Sequence, residues 1–110
     1  MTHISTHVLD VARGIPAAGI TVRLDHLHES GEWKEISAGK TGPDGRIASL
    51  VPPNRALANG DYRLHFATGA YLGEAAFYPE VIVHVRLAAG SKYHLPLLLS
   101  PFGFSTYRGS

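Results

Sequence analysis

The chain has 110 residues, a formal net charge of +1 and no cysteine, with 45% hydrophobic and 17% charged residues. This composition is typical of a globular protein rather than a disordered chain, and we expect residues 1–110 to form a single domain. The absence of cysteine excludes disulfides, thiolate metal sites and cysteine nucleophiles, and the near-neutral charge argues against nucleic acid as a partner.

The first residues and the longest apolar run bear on localisation. Residues 1–7 lack the basic stretch and apolar core that mark a secretory signal peptide. The longest apolar run, residues 95–99, is too short to cross a bilayer. We therefore expect a cytoplasmic protein without a membrane partner.

Hydrophobic residues alternate with a period of two along most of the chain, which predicts β-strands. Ile20, Val22 and Leu24 share one face, for example, and the polar residues between them share the other. The predicted strands are residues 2–11, 20–25, 62–66, 81–87 and 92–99, with weaker strands at 33–40 and 46–50.

Turn residues separate these strands and leave room for one helix. The sequence Gly-Pro-Asp-Gly at residues 42–45 is the strongest turn signal, because proline fixes φ and glycine accepts a positive φ. Residues 69–77 predict a short helix, with Thr68 as its N-cap and Pro79 just beyond its end. Short strands with frequent turns predict an all-β sandwich with one short helix.

Seven histidines are the unusual feature of the composition, because no common catalytic motif accompanies them. His26 and His28 are two residues apart, which is compatible with a metal pair, but an exposed strand end beside a turn is the favoured interpretation. His65 and His84 are interpreted as solvated surface residues.

His94 differs from the other histidines, because Pro96 and Leu98 on its strand face are apolar. A strand that is apolar on both faces is covered on both faces, and a second subunit is the expected cover. A histidine in such a place titrates near neutral pH and can transfer protons. Arg46, which follows a turn, adds planar cationic donors suited to a carbonyl or an oxyanion. These residues predict an oligomer with an imidazole-lined groove.

Motifs spread in order over the whole chain carry a family resemblance. They are Ser-Thr-His-Val-Leu-Asp at 5–10, Thr-Gly-Pro-Asp-Gly-Arg at 41–46, Phe-Tyr-Pro-Glu-Val at 77–81, Tyr-His-Leu-Pro-Leu at 93–97 and Tyr-Arg-Gly-Ser at 107–110. Together they resemble the 5-hydroxyisourate hydrolases, the transthyretin-related enzymes of urate catabolism. The C-terminal motif distinguishes these enzymes from the hormone carriers that share the fold.

The resemblance implies a transthyretin-like sandwich of eight strands and one short helix, assembled as a homotetramer with its sites at the dimer–dimer interface. It implies His7, Arg46 and His94 as catalytic residues and requires neither a metal nor a cofactor. It also implies a substrate-binding role for the C-terminal residues Tyr107, Arg108, Gly109 and Ser110.

The implied reaction is hydrolysis of 5-hydroxyisourate to 2-oxo-4-hydroxy-4-carboxy-5-ureidoimidazoline. One of His7 and His94 would activate water while the other orients the water or protonates the leaving nitrogen, and the sequence does not assign the two roles. Arg46 would stabilise the developing oxyanion. The alternatives are a transthyretin-like carrier of small molecules without turnover and, less favoured, a structural interaction domain.

Overall fold

The computed structural model describes residues Met1–Ser110. Nine strands of two to nine residues account for most of its regular structure. In chain order they are β1 (His3–Asp10), β2 (Ile15–Pro16), β3 (Thr21–Leu27), β4 (Trp33–Lys40), β5 (Arg46–Ile47), β6 (Gly60–Phe66), β7 (Val81–Leu87), β8 (Lys92–Ser100) and β9 (Gly103–Thr106).

The strands form two sheets, here called sheet A and sheet B. Sheet A has the order β2-β1-β8-β9, and β5 also pairs with β1. Sheet B has the order β4-β3-β6-β7 and is antiparallel throughout. The pairing of β1 with β8 is the only parallel pairing, so the N-terminal strand lies beside a strand from the end of the chain.

The core lies between the sheets and follows the alternation of the sequence. Ile4 and Val8 of β1 face inward while His3, Ser5 and His7 face outward, as predicted. Eighteen buried hydrophobic residues from both sheets form one cluster. Because successive side chains of a strand point to opposite faces, strands such as β1, β3 and β6 leave most of their polar residues on the outside of the sandwich.

The helical segment is shorter than predicted and starts differently. Helix α1 covers Thr68–Leu72, and a 3₁₀ turn covers Gly73–Ala75. Thr68 is not the N-cap. It lies inside the helix, and its buried hydroxyl donates to the carbonyl oxygen of Tyr78 at 2.7 Å, which ties the helix to the segment before β7. Gly73 has a φ of 69°, a left-handed conformation that ends the α-helix.

The predicted architecture, an all-β sandwich with one short helix, is confirmed. The structure has nine strands rather than eight. The strand patterns predicted neither β2 nor β9, and β2 and β5 are two-residue strands along β1. The predicted strand at 46–50 ends at Ile47, since the chain then turns inward and buries Leu50, whose amide donates to the carbonyl of Ile4. No helix in the structure is long and apolar enough to span a membrane.

Candidate active site

The parallel pairing of β1 and β8 sets the geometry of the outer face of sheet A. Its register places Ser5 opposite His94 and His7 opposite Pro96. A cleft of about 570 Å³ lies on this face, and its lining includes Ser5, Arg46, His94, Gly109 and Ser110. Residues from the beginning, the middle and the end of the chain therefore meet in one cleft.

Arg46 reaches the cleft because of the tight turn that precedes it. The amide of Gly45 donates to the carbonyl of Gly42 at 2.8 Å, and the amide of Arg46 donates to Asp44 Oδ1 at 3.0 Å. Gly45 has a φ of 77°, and a Cβ atom there would lie 2.4 Å from the carbonyl oxygen of Val8, so only glycine fits. The Arg46 guanidinium approaches Asp44 no closer than 4.0 Å, which leaves its donors free for a ligand.

The C-terminal tail is held against His94. The amide of Gly109 donates to the carbonyl oxygen of His94 at 2.7 Å. A Cβ atom at Gly109 would lie 2.7 Å from Cδ2 of the His94 ring, so the tail can approach this closely only with glycine there. The guanidinium of Arg108 lies 4.7 Å from the centre of the Tyr93 ring, a cation–π contact. These contacts bring Ser110, the last residue, to the edge of the cleft.

The His94 ring has a hydrogen-bond partner at Nδ1 and a lowered pKa. Its Nδ1 lies 2.8 Å from the Ser5 hydroxyl oxygen. Burial lowers the pKa of His94, and the positive charge of Arg46 lowers it further. At neutral pH the imidazole is therefore uncharged, the form that can accept a proton or donate a single N–H.

Only some of the predicted site residues line this cleft. His7 lies on the same face of sheet A, opposite Arg46 in the pairing of β1 with β5, but it does not line the cleft. Arg108 lines a neighbouring cavity of about 260 Å³ that also borders His94. Tyr107 is 57% exposed and lines neither cavity. The structure thus gathers Arg46, His94, Gly109 and Ser110 most closely.

Five residues of the cleft were not anticipated as site residues: His3, Ser5, Ala48, Lys92 and Tyr93. Alternation along residues 2–11 does place His3 and Ser5 on the face of His7, so part of the signal was present in the sequence. Their proximity to Lys92 and His94 depends on the pairing of two strands that are almost 90 residues apart, which alternation does not predict.

The remaining histidines have other neighbours. His26 stacks on Tyr62, with ring centres 4.5 Å apart, and lies 5.0 Å from the ring of His28. Burial and the charges of His28 and Arg55 lower the pKa of His26. No group of three or more His, Cys, Asp or Glu side chains in the structure has the geometry to hold a metal ion.

The sequence and the fold are similar to those of known proteins. The family model described as HIUase/Transthyretin matches residues 4–109. A 5-hydroxyisourate hydrolase of Salmonella typhimurium is 43% identical over 97% of this chain and 80% of its own length. Among solved structures, a 5-hydroxyisourate hydrolase of Klebsiella pneumoniae has a TM-score of 0.83 and 35% identity, covering 98% of this chain and 99% of its own.

The comparisons also include a thyroxine-bound protein of the same fold. Sea bream transthyretin in complex with thyroxine has a TM-score of 0.88 and 29% identity, covering 96% of this chain and 93% of its own. The backbone is thus similar to both kinds of relative, while the sequence is more similar to the hydrolases. The chain belongs to the HIUase/Transthyretin family, and to the hydrolases within it.

Proposed function

We propose that this protein hydrolyses 5-hydroxyisourate to 2-oxo-4-hydroxy-4-carboxy-5-ureidoimidazoline, a step of urate catabolism. The observation that carries the proposal is the cleft on sheet A, where Arg46, a neutral His94 and the C-terminal Ser110 meet. The curated relatives with the same reaction in their names, at about 40% identity over nearly the whole chain, support the choice of substrate.

The reaction requires a base that activates water, a group that stabilises the oxyanion and a donor of a proton to the leaving nitrogen. The cleft with its surroundings offers a residue for each. Water attacks a ring carbonyl carbon, the ring C–N bond breaks, and the leaving nitrogen takes up a proton while the carbonyl carbon becomes a carboxylate. His7 and His94 are the candidates for activating the water and for supplying the proton. Arg46 is the candidate for stabilising the oxyanion that forms when water attacks, since its donors have no close partner.

The C-terminal tail completes the proposed site. Gly109 allows the tail to lie against the His94 ring, and Arg108 anchors it on Tyr93. Ser110 then borders the substrate cleft, and Tyr107 remains a candidate for substrate binding from outside the cleft of a single chain. In this arrangement the tail contributes one wall of the binding site.

The proposed assembly is a homotetramer with the active sites at the dimer–dimer interface. The terminal strands of the two sheets, β2 and β9 in sheet A and β4 and β7 in sheet B, each have one unpaired edge. Phe77 and Phe102 are 69% and 79% exposed. Open strand edges and exposed aromatic side chains favour association with another chain. Light scattering should give four times the chain mass of 11.8 kDa, and a fully active monomer would contradict the proposal.

A carrier function is the second candidate, and it is favoured by the likeness to the transthyretin–thyroxine complex. Ligand binding and the decay of 5-hydroxyisourate distinguish the two functions. A carrier should bind an iodinated aromatic ligand more tightly than a urate-like compound, and it should not accelerate the decay of 5-hydroxyisourate.

Ultraviolet absorbance during urate oxidation by a uricase tests the proposed function. 5-Hydroxyisourate forms in the cuvette and decays slowly without help. With this protein present, we expect the intermediate to disappear at a rate proportional to the protein concentration. Unchanged decay in the presence of intact oligomer would reject the hydrolase activity and favour the carrier.

A further inference from the structure

The hydroxyl of Ser5 is the only side-chain group that hydrogen-bonds the His94 ring. The register of β1 and β8 makes Ser5 and His94 direct neighbours, with Oγ and Nδ1 2.8 Å apart. The contact joins residues 89 positions apart in the sequence, so it depends on the sheet and not on local chain geometry. Both side chains are half-buried, which shields the hydrogen bond from water.

The Ser5 hydroxyl has two acceptors within reach, and they lie at different distances. A serine hydroxyl has one proton to donate, and its two possible acceptors here are His94 Nδ1 at 2.8 Å and the Tyr93 carbonyl oxygen at 3.5 Å. The carbonyl lies at the outer limit of a hydrogen bond, whereas the ring nitrogen lies at an optimal distance. When the hydroxyl donates to Nδ1, the proton of the neutral ring resides on Nε2.

We propose that Ser5 is a positioning residue that holds His94 in the tautomer protonated at Nε2, so that His94 presents an N–H donor to the substrate and His7 serves as the base. The inference rests on the proposed function for its catalytic part. It resolves the choice between the two histidines, because a ring whose Nδ1 is occupied and whose Nε2 carries the proton has no free lone pair with which to activate water.

The arrangement also explains why two histidines are useful on one face of the sheet. His7 makes no side-chain hydrogen bond in the structure, so nothing constrains its tautomer and one nitrogen remains free to accept a proton from water. His94 is oriented by Ser5 and by the main-chain bridge from Gly109. One imidazole is thus restrained as a donor while the other remains free as a base.

The tautomer can be measured without the reaction, by long-range ¹H–¹⁵N NMR spectra of the histidine rings in the intact oligomer. The spectrum of His94→Gln identifies the His94 signals by their absence. In the wild type we expect a protonated Nε2 and an unprotonated Nδ1. Ser5→Ala should give a mixture of tautomers, and Ser5→Thr should restore the wild-type pattern because it keeps the hydroxyl. Ser30→Ala, which removes an exposed serine hydroxyl in the turn between β3 and β4, should change nothing.

Kinetics with 5-hydroxyisourate provide the second measurement. Loss of one hydrogen bond that orients a reacting group should lower kcat about 3- to 10-fold in Ser5→Ala with little change in KM, and Ser5→Thr should recover most of it. A proton on Nδ1 in the wild type, or a tautomer unchanged in Ser5→Ala, would overturn the inference. A wild type with the expected tautomer but no hydrolysis would reject the proposed function while leaving the role of Ser5 in the tautomer intact.

Discussion

The outer faces of sheets A and B both carry histidines and arginines, but they differ in how these side chains are paired. On sheet B, the buried carboxylate of Asp25 accepts hydrogen bonds from Arg23 and Arg63 at 2.8–3.2 Å. On the same face Asp61 pairs with His84 at 2.8 Å. On sheet A, in contrast, Arg46 reaches a carboxylate only at 4.0 Å.

This difference indicates which face is available for a ligand. On a face where neighbouring side chains already pair with each other, few charged groups remain free to bind a polar substrate. The ion pairs of such a face mainly connect its strands. A face with free cationic donors and a neutral imidazole can still bind an anion or a developing oxyanion. The number of histidines and arginines is thus less informative than their partners.

Replacement of His94 should have the largest effect. His94→Ala is expected to lower kcat by about 10² to 10⁴-fold, the usual contribution of a positioned histidine, while the oligomer remains intact. His84→Ala is the matched control, because His84 also points outward from a sheet but already has a carboxylate partner. Steady-state hydrolysis measures both, and equal activities of the two variants would remove the distinction between the faces.

Arg46→Ala should have the second-largest effect, with a loss of about 10² to 10³-fold in kcat if Arg46 stabilises the oxyanion. Arg55→Ala serves as the control, since Arg55 is exposed and makes no ion pair in the structure. The assay is again the decay of 5-hydroxyisourate. A rise in KM with an unchanged kcat would instead assign Arg46 to binding of the ground-state substrate.

Deletion of residues 107–110 should reduce activity more than stability. The tail forms one wall of the cleft, so its loss should cost about 10²-fold in kcat/KM through misplacement of the substrate. Its contacts within one chain are a main-chain hydrogen bond to His94 and a cation–π contact to Tyr93, which together stabilise by about 1–2.5 kcal/mol. Thermal unfolding and kinetics of the same preparation compare the two losses. A larger effect on unfolding than on turnover would assign the tail to folding.

The smallest expected effect concerns sheet B and affects stability instead of activity. Burial alone raises the pKa of Asp25, but the hydrogen bonds from Arg23 and Arg63 outweigh it and hold the pKa below its usual value. Asp25→Asn should therefore lower the free energy of unfolding by about 1–3 kcal/mol and leave kcat unchanged. Chemical denaturation measures the first quantity, and the more exposed Asp61→Asn should lose less.

The stability that Asp25 contributes through Arg23 and Arg63 should depend on pH in a defined direction. Because the folded-state pKa of Asp25 is depressed, its stabilising contribution is complete above the unfolded-state pKa of about 4 and disappears as the pH falls through the folded-state value. The difference in stability between wild type and Asp25→Asn should accordingly shrink in acid. A difference that is constant between neutral pH and the acid transition would mean that the charge of Asp25 contributes nothing.

Several features of the fold could be predicted because they depend on neighbouring residues. The alternation around Ile20 and Val22 fixed which face is buried, and the glycine of the turn at 42–45 fixed where Arg46 emerges. The start of the helix was mispredicted because the hydroxyl of Thr68 had a more distant partner, the carbonyl of Tyr78, that competes with local capping. Rules based on local helix propensity do not include a partner ten positions away in the sequence.

The sequence by itself determined seven of the nine strands, their inward and outward faces and, through its motifs, the family of the protein. Only the tertiary structure decided that β1 lies parallel to β8, that Ser5 therefore touches His94, and that Gly109 brings the tail against the same ring. The physical reason is the range of the interactions. Alternation and turns arise between residues a few positions apart, whereas strand pairing across most of the chain depends on how all the buried faces pack together.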